Sequence, residues 1–463
     1  MKRLSLLFVL AFGLAVPACA ASVYETRPDD PAAVTLTNAR GDGVSDDSAA
    51  LQAAIDRAAQ SKGGGIGFVP AGRYRLTRTL YVWLGVRVIG FGATRPVFVL
   101  ADNTPGYQKG IGLMVMFSDG RPAQMLRGAT RVAFPPPGTV PATDKIPDAG
   151  PSTFYSAMSN IDFEIERGNP AAIAIRFHAA QHAFLTHMDF HIGSGLAALT
   201  EIGNEAEDLH FFGGRYGILT DNTSPFWQFT LIDSSFEGQR EAAIREHMAG
   251  LTLIRDSFSN LPAAIAIDPH YSDQLWIKDS RFAHISSAAV IVSNENNPKT
   301  EIGVESAICA DVPVFVRFRE SGKVEAGAGA IYRVADFNHG LMVPGEGMTG
   351  KMGTVYDAAP LAAPLPPLPA AIPSLPPVGA WSNVHTLGVK GDGLTDDTAA
   401  IQRAVDTHRV LYFPIGSYIV RDTIRLRPDT VLIGLHAGMT QFDLPDSTPG
   451  YQDVGPPRPV LEA

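Results

Sequence analysis

The chain has 463 residues, with 45 glycines, 35 prolines, 18% charged residues and a formal net charge of −10. A turn-rich, weakly charged composition of this kind leaves little room for long amphipathic helices. The acidic balance, with no basic run anywhere, excludes a nucleic-acid partner, because phosphate contacts need clustered Lys and Arg.

The N-terminus reads as an address. Lys2 and Arg3 precede the apolar run from Leu4 to Val16, and Ala18-Cys19-Ala20 fits the small-x-small pattern of a secretory leader. A signal peptide over 1–20 and a secreted or periplasmic product are expected. Pro17 sits badly in a lipobox, so cleavage after Ala20 is the reading, rather than a lipid on Cys19. Cleavage would leave Cys309 as the single cysteine, so no internal disulfide can form and the core must supply the stability. No later stretch is apolar for long enough to make a transmembrane segment.

Next comes "GDGVSDDSAALQAAID" from Gly41, which returns as "GDGLTDDTAAIQRAVD" from Gly391. The likeness continues: Pro70, Gly72 and Tyr74 in "VPAGRYRL" answer Pro414, Gly416 and Tyr418 in "FPIGSYIV", and "NTPGYQ" from Asn103 answers "STPGYQ" from Ser447. This is a duplicated unit, shortened in its second copy around the place of "SKGGG". In the first copy Leu51, Ala54, Ile55 and Ala58 recur at helical spacing, with Asp46, Asp47 and Ser48 placed to cap the first turn. Short β-rich runs broken at Gly and Pro follow the helix.

Between the copies three segments align: "FTLIDSSFEG" from Phe229, "LTLIRDSFSN" from Leu251 and "LWIKDSRFAH" from Leu275. Ile232, Ile254 and Ile277 serve as anchors, Phe236, Phe258 and Phe282 follow them, and Ala pairs come next at Ala242, Ala263 and Ala288. Weaker versions begin at Ser159, Leu185, Asp208 and Ile302. A repeat of this length, with aromatic and β-branched runs and polar corners, predicts a parallel β-helix in which each repeat is one coil. The three isoleucines are expected in one interior file. On this alignment Asp256 and Asp279 share a column beside Ser234, and Asp233, Arg255 and Lys278 make the next one.

From Asp357 to Trp381 the chain is Pro-rich and is read as a connector that cannot join a sheet. The expected organisation is therefore a leader over 1–20, a first β-helix over 21–356, a linker over 357–381, and the start of a second β-helix over 382–463. The fold class is all-β.

The phrase "GDGxxDDxxAxQxAxD", then "PxGxY", then "IG", resembles the pectate-lyase superfamily domain of the rhamnogalacturonase and epimerase-like type. Two such units joined by a linker are similar in layout to glycoside hydrolase family 55, the exo-β-1,3-glucanases, in which tandem right-handed, pectin-lyase-like β-helices form a cleft. "AAQHAF" around Gln181, "EIGNEAEDLHFFGGRYG" from Glu201 and "WQFT" from Trp227 also look like that family. The resemblance implies that Gln181 and Asn204 orient a water and that Trp227 and Gln228 line the sugar subsites. Asn204 stands where family members carry a serine within an "ENGSGG"-like stretch. The family's general-acid glutamate lies well inside the second helix. This sequence ends at Ala463, so the catalytic residue is not assigned and the chain is expected to be part of a longer protein.

The chemistry that follows is glycoside hydrolysis with inversion, on β-glucan or another polysaccharide, by a monomer without metal or cofactor. A calcium-dependent lyase would need the Asp256/Asp279 column with Arg255 and Lys278; a non-catalytic polysaccharide-binding β-helix would need neither. Trp227, Phe226 and Tyr216 could offer ring faces to sugars. His182, His187, His191 and His210 lack metal-ligand spacing and are read as turn and surface residues.

Overall fold

The computed structural model describes residues 21–60, 64–120, 146–150, 153–221, 228–370, 372–452 and 454–463. The expected leader, Trp227 and Phe226 lie outside them. Each "GDG" phrase is a turn that leads into a helix: α1 over Ser48–Ala58 and α2 over Thr398–Thr407. Gly41 and Gly391 have φ of +62° and +61°, and a Cβ on either would press on the ring of Tyr74 or Tyr418. That tyrosine donates from its hydroxyl to the carbonyl of Pro70 or Pro414, which is why "GDG" and "PxGxY" travel together. The aspartates divide the expected capping role. Asp46 and Asp396 accept from the first helical amide, whereas Asp47 and Asp397 turn back to accept from the two amides at Arg40–Gly41 and Lys390–Gly391.

The coils form a parallel β-helix. The strands of one of its sheets are numbered in chain order. They are β1 Gly65–Pro70, β2 Val86–Phe91, β3 Ala157–Ser159, β4 Phe184–Gly193, β5 Glu205–Gly213, β6 Phe229–Ile232, β7 Leu251–Ile254, β8 Gln274–Lys278 and β9 Glu301–Ala310. Each pairs in parallel with the next. An antiparallel hairpin, β10 Ile331–Met342 and β11 Lys351–Pro360, closes the stack on β9. Strand β11 runs on to Pro360, into the segment read as connector. Its last residues sit on the sheet's outer edge, where a proline's missing donor costs nothing.

Register fixes what lies inside. Gly67, Val88, Met158, Leu185, Ala206, Leu231, Leu253, Ile277 and Val304 stack as one inward row. Phe163, Phe190, Phe211, Phe236, Phe258 and Phe282 make a second, with successive ring centroids 4.4–5.4 Å apart. The Ala242–Ala263–Ala288 row holds as expected.

The isoleucine file does not hold. Ile232 pairs with Ile254 and Ile254 with Lys278, all facing outward, while Ile277 pairs with Leu253 and faces inward. In the third segment the anchor falls one residue earlier, and with a side-chain period of two a one-residue slip exchanges the faces. The acidic columns shift with it. Asp256 aligns with Ser234 and Ser280 and is buried, whereas Asp279 aligns with Arg255 and Asp233 at a corner.

That corner has its own logic. Asn160, His187, Asp208, Asp233, Arg255, Asp279 and Ser306 follow equivalent positions on successive strands, and all take left-handed φ between 52° and 58°. Glycine and short polar side chains tolerate this conformation most readily, and four of the seven are Asn or Asp.

The second copy builds three short parallel ladders. One contains β12 Val410–Phe413 and β13 Val431–Gly434. Its outward side chains Val410, Tyr412 and Ile433 share one buried cluster with Ile66, Phe68 and Ile89, the outward side chains of β1 and β2. These are corresponding positions of the two copies. The duplicated unit therefore docks on itself, sheet face to sheet face, as an isologous dimer would.

Candidate functional site

Beyond that contact the same outward face turns polar. Following one register row from β1 to β10 gives Ile66, Arg87, Ala157, Phe184, Glu205, Thr230, Thr252, Trp276, Gly303 and Asn338. The row two residues on gives Phe68, Ile89, Ser159, Thr186, Glu207, Ile232, Ile254, Lys278 and Glu305. Apolar side chains predominate where the second unit docks, and beyond it carboxylates, hydroxyls and an indole predominate, with Ile232 and Ile254 as the apolar exceptions.

Arg87 marks the boundary. Its guanidinium donates to the carbonyls of Tyr155, His182 and Leu435 and lies 4.8 Å over the ring of Phe184. Tyr155 in turn stacks on His182, with centroids 5.0 Å apart. Burial lowers the Arg87 pKa to about 10, so it remains a cation at neutral pH.

The groove that begins here has a volume of about 570 Å³. Phe184, Thr186, His187, Glu207 and Asp208 form its floor, and the connector around Ile372, Pro373 and Leu375 forms its roof. Glu205 and Glu207 leave the same side of β5 with the inward Ala206 between them. Two residues at strand rise put their Cα atoms ~6.6 Å apart. Desolvation, and then the charge of Glu207, raises the pKa of Glu205. The Thr186 hydroxyl donates to Glu207 Oε1 at 3.2 Å.

Beside this pair Asp208 is clamped between two imidazoles. His187 Nδ1 lies 2.7 Å from Oδ2 and His210 Nε2 lies 3.1 Å from Oδ1. Hydrogen bonds from both rings hold the Asp208 carboxyl far below the usual carboxylate range, and the bond to Asp208 raises His210. Two histidines read from sequence as turn and surface residues thus bracket one carboxylate at the groove's edge. Of the others, His182 packs on Tyr155 and His191 stacks on Phe212.

The positions singled out from the sequence lie on this face's leading corner. Asn204 immediately precedes β5, and its side-chain amide is spent on the carbonyl of Ala183, 2.7 Å away on the previous coil. Gln181 is exposed in the turn before β4, where its backbone carbonyl accepts from Tyr155 N. Gln228 precedes β6 and accepts from Thr252 Oγ1 at 2.9 Å. The three occupy successive coils but are not gathered on one atom. Tyr216 is buried on another sheet, bonded to Glu241, and offers no ring to this face.

The lyase column does not exist: Asp256 is 1% exposed and Lys278 pairs with Glu305, not with an aspartate. The residues missed in the sequence were Glu205 and Glu207. Their signal was the alternation E-A-E, with charge on one parity and a small apolar residue on the other.

The sequence profile of the rhamnogalacturonase A/epimerase, pectate lyase-like family matches residues 33–260 and 381–450, more than half of the chain. The chain belongs to that family. Both copies of the repeated phrase fall within the match.

Among curated relatives, mannuronan C5-epimerase AlgE2 of Azotobacter vinelandii is 45% identical over 72 residues, 14% of this chain and 7% of that protein. The preneck appendage protein of Bacillus phage PZA is 42% identical over 52 residues, 11% of this chain and 6% of its own length. The matches thus span only a small part of either relative. Among solved structures, the Streptococcus pneumoniae surface protein and adhesin PfbA matches at 15% identity and a TM-score of 0.36, covering 62% of this chain and 76% of its own. Among the described residues no helix is long and apolar enough to cross a membrane.

Proposed function

We propose that this pectate lyase-like protein binds a polysaccharide along the outward face of β4–β9 and hydrolyses a glycosidic bond over Glu205 and Glu207, with inversion. One observation carries the reading. Two carboxyl groups leave one side of a single strand, Glu207 in the groove floor and Glu205 exposed beside it, and desolvation together with the charge of Glu207 raises the pKa of Glu205.

Glu205, with its raised pKa, gives its proton to the glycosidic oxygen as the C1–O bond breaks. A water forms the new bond to C1 from the opposite side and passes its proton to Glu207. Thr186 and the Asp208 clamp hold the geometry. Gln181, Asn204 and Gln228 stay in the proposal as residues that shape the leading edge of the face, and Trp227, outside the described residues, stays as a proposed sugar contact.

The layout belongs to the same proposal: a leader to Ala20 for export, a first β-helix, a connector and the start of a second. The epimerase relative acts on mannuronan, which agrees with a saccharide ligand.

The test is release of reducing ends from a panel of polysaccharides, laminarin among them, in chelator. Glu205→Gln and Glu207→Gln are each expected to lower the rate ~100-fold or more while the polymer still binds. Ultraviolet-absorbing unsaturated products would mean elimination instead. Binding without any product would make the chain a non-catalytic module.

A further inference from the structure

Three coils along the face from Glu205, ~14 Å away at strand spacing, there is a second hollow. Its volume is about 430 Å³, and it opens between Gln228, Gln274, Trp276, Glu301, Gly303 and Asn338. Trp276 is only partly buried, and its Nε1 donates to Glu305 Oε1 at 3.2 Å, which fixes the ring. The next residue up its row is Gly303, where a Cβ would lie 3.2 Å from Trp276 Cδ1 and 3.4 Å from Asn338 Oδ1. The missing side chain is what keeps the ring edge and the amide open to the hollow.

Resting on the reading above, we infer that this hollow is a separate subsite for an uncharged pyranose, with Trp276 as its platform. The apolar indole edge that Gly303 leaves uncovered offers a surface to the C–H groups of a sugar ring. Around it the polar groups suit hydroxyls. The Gln228 carbonyl already accepts from Thr252, which turns its NH2 toward donation, and Gln274 bonds Glu301 through its NH2, which leaves its carbonyl to accept.

Charge sets the class. Glu301 lines the hollow and Glu305 holds the indole, whereas the neighbouring cation Lys278 is committed to Glu305 at 3.1 Å and to the Trp276 ring at 5.6 Å. No lysine or arginine lines the hollow among the described residues. A uronate or sulfated sugar would meet net negative charge here, and a neutral one would not.

The experiment titrates the full chain with laminarin and with polygalacturonate at low salt and follows binding by calorimetry. It uses wild type, Trp276→Ala and Gly303→Val, each checked for an unchanged unfolding midpoint. Laminarin affinity is expected to fall about tenfold in Trp276→Ala, and similarly where valine fills the hollow. If Gly303→Val does not fold, Trp276→Ala alone decides. Laminarin binding that persists undiminished in the variant overturns the subsite and leaves the Glu205/Glu207 reading standing. Polygalacturonate bound more tightly than laminarin, through Trp276, overturns the assignment to uncharged sugars. No binding of laminarin to wild type overturns the subsite for an uncharged glucan and leaves the Glu205/Glu207 reading to its own panel of polysaccharides.

Discussion

Phe68 and Tyr412 hold the same position in the two copies of the repeated phrase, two residues before its proline, and they share one buried apolar cluster. The contact makes the second unit a lid on the first coils. It also decides where the polar face is covered and where it is open.

Tyr412 adds a bond to this contact: its hydroxyl donates to Asp30 Oδ2 at 3.0 Å, and Asp30 also accepts from Ile415 N. Tyr412→Ala should remove about 3 kcal/mol or more from docking, by cavity formation and the loss of that bond. Hydrogen exchange is the check. Protection over residues 410–413 and 431–434 should drop, and protection over β6–β8 should not.

Acid should loosen the same contact. His436 is buried with Nε2 donating to Gly85 O at 2.6 Å, and Nδ1 has no partner among the described residues. Burial, reinforced by the charge of Arg87, holds its pKa down at about 4. The unfolded imidazole takes up its proton near pH 6.5, before the folded one does. The stabilisation is therefore complete above pH 6.5 and is lost as pH falls toward 4, by about 3 kcal/mol. Urea unfolding of wild type and His436→Gln at pH 7 and pH 4.5 measures it; wild type should lose more between the two.

Asp256 titrates with the opposite sign. It is fully buried, accepts from Ser234 N at 2.8 Å through Oδ1, and has no partner for Oδ2 among the described residues. Burial raises its pKa well above the ordinary value. Its stabilisation is present below the unfolded pKa near 4 and is lost as pH rises through the folded value. Asp256→Asn, which can keep the bond to Ser234, should be more stable than wild type at pH 7 and gain nothing at pH 4. Chemical denaturation at the two values tests it.

The coil was readable because Phe236, Phe258 and Phe282 stand at the same distance after Phe229, Leu251 and Leu275, and stacking needs that regularity. Face assignment failed where isoleucine was taken as the anchor, because Ile254 and Ile277 are similar side chains on opposite faces of equivalent strands. The "GDG" aspartates were readable as structural, but not in their division of labour, which depends on a loop folding back to Asp47. Glu205 and Glu207 were written in the sequence as alternation. What made them a candidate site, the docked second unit and the connector roof, comes from contacts between residues hundreds of positions apart. No local pattern carries that.

The most direct test of the account is carboxyl and indole footprinting of the full chain by mass spectrometry, with and without a saturating neutral polysaccharide. Protection is predicted at Glu205, Glu207 and Trp276, on one face, with Glu241 and Asp268 on the other side of the coils labelled as before. Protection at Glu241 and Asp268 with Glu205, Glu207 and Trp276 still labelled would contradict it.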